Sequence, residues 1–322
     1  MGPVARLERT APDLRIHPRS RDIAVASNVT ERTSESVRFR PVQRIRELFA
    51  YREILLNLVR KELKVKYTAS VLGAVWSILN PIVFLAVFTF VVKILSNPTP
   101  HYPVFLLSGL LAWNLFSVAA GNGTRSVIDN GNLVKKVAFP REILPLAVIG
   151  VALVDFLLQS VVLLVFILIS GYGIHASALA LYPLSFVTLV VFTTALVFWV
   201  SALNVRYRDI QHLIGLALLV WFWMTPIVYP GGLVQDKLID PTSPWSPHLW
   251  TVYLLNPLTP IVLGFQRALY ATVRPAAIHV LPQVSVAWLI GVISLTFVVS
   301  FLLLLYAWRL FFRLSGDFAE EL

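Results

Sequence analysis

Few residues in this 322-residue chain are of types and spacings that do chemistry. Asp155 stands in the middle of a long apolar run. A carboxylate in such a place is either an ion or proton site, or a group hydrogen-bonded inside a helix bundle. No second charge lies within an apolar run to complete a relay, so the bonded reading is preferred. Asp236 and Asp240 fall in a proline-rich section and read as solvated surface. The phosphate-cradling pattern G-x-x-x-x-G-K-[ST] does not occur, and Gly121-Asn-Gly-Thr-Arg-Ser lacks its spacing, so the chain is not expected to hydrolyse ATP by itself. There is no paired-His metal motif, no G-x-S-x-G, and no cysteine, which excludes disulfides, thiolate nucleophiles and thiolate metal sites. An enzyme is therefore disfavoured; the form it would take is an integral membrane glycosyltransferase acting on polyprenyl-linked sugars. The residues with the most to offer are instead cationic: Lys135, Lys136 and Arg141, in the segment NGNLVKKVAFPREILP from Asn130 to Pro145.

The elements that position that segment follow from composition. Hydrophobic residues make up 57 % of the chain and charged residues 14 %, the profile of a polytopic membrane protein. Lipid cannot hydrate Lys135, Lys136 and Arg141, so the segment sits in water, and cationic loops stay on the cytosolic side. The Phe139-Pro140 pair interrupts it and Arg141-Glu142 opens the next helix, which predicts a short helical element presented as a docking surface for a partner. Net charge is +10. Fifteen of the 27 Lys and Arg, against eight of the 17 Asp and Glu, precede the first apolar run. Most cations lie beside or between apolar runs, where anionic headgroups of membrane lipids meet them, and no basic domain stands apart to hold nucleic acid.

Residues 1–42 read as a disordered cytosolic tail, rich in Arg, Ser, Thr and Pro and without the apolar core of a secretory signal. Residues 43–67 carry a helical stripe, with Ile45, Leu48, Phe49, Leu55, Leu56, Val59 and Leu63 on one face and Arg46, Glu53, Arg60, Lys61 and Lys64 off it. This predicts an amphipathic helix lying along the inner headgroup layer. Residues 68–313 form the membrane domain, and 314–322 a second cytosolic tail. Spans are expected at 71–95, kinked at Asn80-Pro81, then at 104–120, 143–170, 178–203, 212–229 and 284–308. The short loops at 96–103 and 171–177 hold no Lys or Arg and belong outside, whereas Arg206, Arg208 and Asp209 mark a second cytosolic loop. Its residues serve either as a membrane anchor or as a partner contact. The aromatic group at Trp221, Phe222, Trp223 and Tyr229 reads as an interfacial belt. Between 231 and 282, prolines divide the chain into pieces too short to cross, so two short helices joined at Asn256-Pro257 are expected to dip into the outer leaflet. The fold class is thus all-α: six transmembrane helices with both termini cytosolic, an amphipathic interface helix, and re-entrant outer helices between spans five and six.

Four stretches carry a resemblance: YTASVLGAVWSILNP from Tyr67, NLVKKVAFPREILP from Asn132, NVRYRDI from Asn204 and LNPLTP from Leu255. Over 47–313 the chain resembles the membrane subunit of type-two ABC exporters for polysaccharides, those moving O-antigen, teichoic acid or related lipid-linked polymers of the cell envelope. The resemblance implies a homodimer in the bacterial plasma membrane, bound to a separate ABC ATPase that carries the ATP and Mg, with no cofactor in this chain. It implies a channel along the dimer axis for a polymer on a polyprenyl diphosphate. It also implies ATPase coupling at Asn132, Leu133, Lys135, Lys136, Phe139, Pro140, Arg141 and Glu142, and the second cytosolic loop joins this set. Arg60, Lys61, Lys64 and Lys66 would supply charge for the lipid diphosphate on the interface helix, and Tyr253, Asn256, Pro257 and Phe265 an outer gate. A lipid or drug cargo is the alternative within the same architecture.

Overall fold

Apolar runs of this length offer the backbone no water, and helices satisfy every peptide group within one segment. A computed structural model describes residues 41–68, 75–94, 99, 101–169, 171, 178–239, 246–270 and 280–322, and among them no strand occurs. Most of the expected tail 1–42, the loop 172–177 and Asp240 lie outside the described residues. Among the described residues, four helices are long and apolar enough to cross a membrane: α4 (Tyr102–Asp129), α6 (Ile143–Ile169), α7 (Leu181–Arg206) and α12 (Val286–Leu314). α3 (Val75–Ile94) and α8 (Ile210–Met224) are also apolar. α3 continues through the buried Pro81. α8 has 15 residues, which at 1.5 Å per residue spans about 22 Å, short of the expected run to Tyr229. Pro226 is the cause: it disfavours helical geometry at Thr225 and brings no N–H, and Thr225 is extended.

The expected amphipathic helix is two helices, α1 (Pro41–Ala50) and α2 (Arg52–Thr68), parted at Tyr51. α2 is seated on α6. It climbs α6 in the same direction: Val59 packs against Gly150, where a Cβ would stand 2.8 Å from its Cγ2, and Lys66 reaches Asp155. Asp155 is twelve residues into α6, about 18 Å along its axis. The physical reason is on α6, which offers a glycine for close approach and a carboxylate for the terminal charge.

α4 overshoots its expected end by nine residues and carries Arg125 and Asp129 out on its last turns. Thr124 and Ser126 donate to the carbonyls of Ala120 and Gly123, both at 2.7 Å, so hydroxyls that would favour a loop are absorbed by the helix. The connection to α6 is correspondingly compact: α5 (Gly131–Lys136) and an extended turn up to Glu142. The remaining elements are α9 (Gly231–Leu238), α10 (Ser246–Leu254), α11 (Leu258–Leu269) and α13 (Phe318–Glu321). The two short helices expected on either side of Asn256-Pro257 are α10 and α11.

α12 packs most extensively on α7, and α4 on α6 and α7. One core surrounds α4, with Phe105, Phe116, Phe156, Phe192 and Phe265 interlocking. A second lies at the α5 end and joins Leu58, Val134, Ile143, Phe198, Trp308, Phe311 and Phe318. Large apolar side chains remain exposed on α3, α6, α8 and α12, among them Phe90, Leu164, Leu219 and Leu302. A bundle that faces lipid requires such an outer surface.

Candidate functional site

The cationic segment is held from beneath. Val134 is buried in the second core, and Leu133 and Phe139 pack partly against it. Asn132, Lys135 and Lys136 are exposed, as are Val137 and Ala138. Pro140 is buried and Arg141 half-buried. Burial pulls the Arg141 guanidinium below its ordinary value, and the carboxylates of Asp317 and Glu142 act in the opposite direction. The exposed tip is therefore a basic patch on a short helix whose other side is apolar and fixed.

Glu142 departs from the docking role expected of it. At 1 % exposure it faces inward, accepting from Trp308 Nε1 at 3.4 Å and lying 3.7 Å from Arg44 Nε. A carboxylate taken from water needs such partners, and here they come from α12 and α1. Glu142 thus joins three elements beneath the patch, and Arg44 and Trp308 are the functional neighbours that sequence reasoning missed.

The second loop stands beside the first. Asn204 is fully buried, donates through Nδ2 to the Thr124 carbonyl at 3.0 Å, and accepts at Oδ1 from the Gln211 backbone N–H at 3.1 Å. It ties the ends of α4 and α7 to the start of α8. Arg206, Arg208 and Asp209 follow it, all exposed. The motif NVRYRDI therefore divides into a structural Asn and a presented charge cluster.

Asp155 is 5 % exposed and bonded, not free. It accepts from Lys66 Nζ at 2.5 Å and from the Tyr67 hydroxyl at 2.7 Å. Lys66, expected among the lipid-diphosphate cations, is thus ion-paired to a carboxylate on α6 while its side chain stays partly exposed. Arg60, Lys61 and Lys64 remain exposed; Arg60 donates to Asn57 at 3.5 Å and Lys61 lies 3.7 Å from Glu62. Lys66 also borders a cavity of about 470 Å³ between α2, α4 and α6, together with Glu62, Asn122, Arg125 and Asp129.

At the far end, the four residues expected as an outer gate have different roles. Asn256 is a hub: it accepts from Trp221 Nε1 at 2.7 Å and from the Leu258 N–H at 3.1 Å, and donates to Thr225 Oγ1 at 3.1 Å. Pro257 precedes the first turn of α11. Tyr253 stacks on Trp250, its hydroxyl 3.3 Å from that of Tyr229. Phe265 is no surface residue. It is fully buried, edge-on to Phe156 and Tyr182 at 6.0 and 5.1 Å.

Among the described residues, no group of three or more His, Cys, Asp or Glu could hold a metal ion. Among the described residues the arrangement places an exposed basic tip and a second charged loop at one end of a helix bundle, with no cluster of reacting groups.

Comparison with known proteins agrees with this architecture. A family model described as ABC-2 type transporter matches residues 54–270. The O-antigen export system permease protein RfbA of Myxococcus xanthus is 34 % identical over 238 residues, covering 73 % of this chain and 87 % of that protein. Two proteins of the same name from Klebsiella pneumoniae are 31 % and 28 % identical over 215 and 271 residues, covering 66 % and 84 % of this chain and 79 % and 95 % of their own lengths. A match spanning α2 to α11, on a bundle of apolar helices, makes the chain a multi-pass membrane protein that belongs to the ABC-2 type transporter family.

Proposed function

We propose that this chain is the transmembrane subunit of an ATP-driven exporter that moves a polysaccharide, of the O-antigen class, carried on a polyprenyl diphosphate. The hydrolytic work belongs to a separate ATPase, since this chain has no phosphate-binding loop of its own. A homodimer in the bacterial plasma membrane would enclose the path, with six crossings per protomer. The relatives named for O-antigen export support the cargo class.

One observation carries the reading at the level of geometry. The hydrogen bonds Asn204 to Thr124 and Trp308 to Glu142 gather the ends of α4, α7 and α12 with the start of α6. Lys135, Lys136, Arg206, Arg208, Arg309 and Arg313 thereby share one end of the bundle. By the positive-inside rule that end is cytosolic, where ATP is. The α5 segment and the Arg206–Asp209 loop are the surfaces for the ATPase, and movement of α5 is transmitted directly to α6 through the turn at Pro140.

The test is purification of the tagged chain with its co-expressed ATPase, followed by nucleotide hydrolysis and export of lipid-linked polymer in the native host. Recovery of a Walker-motif subunit and loss of surface polymer on deletion of this chain are expected. Sugar transfer by the chain alone, without an associated ATPase, would overturn the proposal.

A further inference from the structure

The last residues of the chain are built into the cationic segment. Phe318, on α13, is 1 % exposed and meets Phe311 edge-on with ring centroids 5.4 Å apart. The Arg141 guanidinium lies 5.9 Å from the Phe318 ring and donates to the Gly316 carbonyl at 3.5 Å. Leu322 rests on Gly131, where a Cβ would stand 3.8 Å from its side chain. α13 thus touches α5, and Arg141 holds the two together from behind.

Outward, the two helices present opposite charge. Lys135 and Lys136 are exposed on α5, and Glu320 and Glu321 are exposed on α13. None of the four takes part in an ion pair with another described residue. Two bases and two acids are therefore carried on elements in contact with each other, with their charge available to another molecule. α13 lies beyond the residues matched to the family, which end at 270.

We infer that α13 and α5 form a single two-signed docking surface for the ATPase subunit, which meets it with acidic side chains opposite Lys135 and Lys136 and basic ones opposite Glu320 and Glu321. This rests on the proposed function above. A surface of two signs fixes the orientation of a partner as well as attracting it, because rotation of the partner places like charges together. Phe318 is a positioning residue: it sets where Glu320 and Glu321 stand and touches no partner itself.

The experiment co-purifies the full-length tagged chain with its co-expressed ATPase. Variants are Glu320→Lys with Glu321→Lys, Lys135→Glu with Lys136→Glu, Phe318→Ala, and Phe318→Tyr as the conservative control. Both charge reversals are expected to lower ATPase recovery about tenfold at low salt, the equivalent of ~1.4 kcal/mol, with the deficit shrinking as salt screens it. Because all four side chains are exposed, melting temperature in detergent stays unchanged. Phe318→Ala lowers recovery and Phe318→Tyr restores it. If reversal on α5 abolishes recovery and reversal on α13 does not, the inference about α13 falls and the exporter reading stands. If neither reversal lowers recovery while the ATPase still co-purifies, the docking surface falls and the exporter reading stands; if the unmodified chain recovers no ATPase, the exporter reading falls.

Discussion

The ammonium of Lys66 lies 2.5 Å from Asp155 Oδ2, which joins the last turn of α2 to the middle of α6. Two charges that would each be expensive within a membrane are placed together, and the Tyr67 hydroxyl occupies the second carboxylate oxygen. Lys66 borders the cavity between α2, α4 and α6 while Asp155 is buried, so the pair is incompletely withdrawn from water on the lysine side, and its role is to fix how far α2 rises along α6.

Removing one partner of that pair is expected to cost more than removing both. Asp155→Ala leaves Lys66 without its carboxylate on α6 and should lower stability by about 1–3 kcal/mol, the partial exposure of Lys66 reducing the penalty of a fully buried charge. Combining Lys66→Met with Asp155→Leu should recover most of it. Melting in detergent, followed by size-exclusion recovery after heating, reads the difference. Were Asp155 an ion or proton site, Asp155→Asn would instead abolish export at an unchanged melting temperature.

Gly150 permits the same packing by steric means. A side chain there meets Val59 Cγ2 at 2.8 Å, too close for two carbons. Gly150→Val should push α2 off α6 and cost about 1–3 kcal/mol as overpacking. Val59→Ala in the same chain makes room and should return part of the lost thermal stability. Equal melting temperatures for the single and double variants would show that α2 is not seated there.

Much of this arrangement was legible in the residues. Apolar run length located α6 almost to the residue, because Arg141-Glu142 at one end and Gly171 at the other leave little choice. Lys135 and Lys136 stand exposed where their charge between apolar runs placed them. What periodicity cannot express is which helix another one meets. Nothing local to Glu142 distinguishes a surface acid from one turned toward Arg44 and Trp308, 98 residues before it and 166 after it. The same holds for Lys66, which follows Arg60, Lys61 and Lys64 in sequence and whose spatial neighbour is Asp155. The four-residue α13 lacks the length for a periodic signal, and only its contact with Arg141 gives it meaning. Phe265 looked available because its segment is broken by prolines, yet α11 is buried along nearly its whole length.

Asn204 is expected to govern the order of the second loop. Asn204→Ala removes a bond to the Thr124 carbonyl and leaves the Gln211 N–H without its acceptor, at a cost of about 2–3 kcal/mol for the two groups. Hydrogen exchange of the amides from 205 to 211 should quicken by at least tenfold, with little change in α11. Uniform acceleration across the bundle would mean that Asn204 supports global stability rather than this loop.

Asn256 performs the corresponding task at the opposite end. Its side chain joins Trp221 and Thr225 of the α8 terminus to the first turn of α11. Asn256→Ala frees the Trp221 indole N–H and should release α10 from α8, seen as faster exchange from 246 to 255. Asn256→Asp keeps both acceptor bonds and loses the donations to Thr225 and to the Met224 carbonyl, so its effect should be the smaller of the two. A larger effect for Asp would indicate that introducing a charge there, and not the bonds, controls the corner.

Glu142 and Lys135 separate a residue that supports the proposed docking surface from one that would form it. Glu142→Ala leaves the Trp308 N–H without this acceptor and the Arg44 guanidinium with Glu47 as its remaining carboxylate, and should lower both melting temperature and ATPase recovery. Lys135→Ala touches only an exposed cation and should lower ATPase recovery alone. Glu142→Gln retains an acceptor for Trp308, so it should fall between wild type and Ala in thermal stability. Because Arg44 sits on α1 and Trp308 on α12, the Ala variant should also quicken exchange in both helices, a change Lys135→Ala has no contacts to produce. If Glu142→Ala reduced ATPase recovery with melting and exchange untouched, Glu142 would have to turn outward to meet the partner, and the buried arrangement would not describe the assembled exporter.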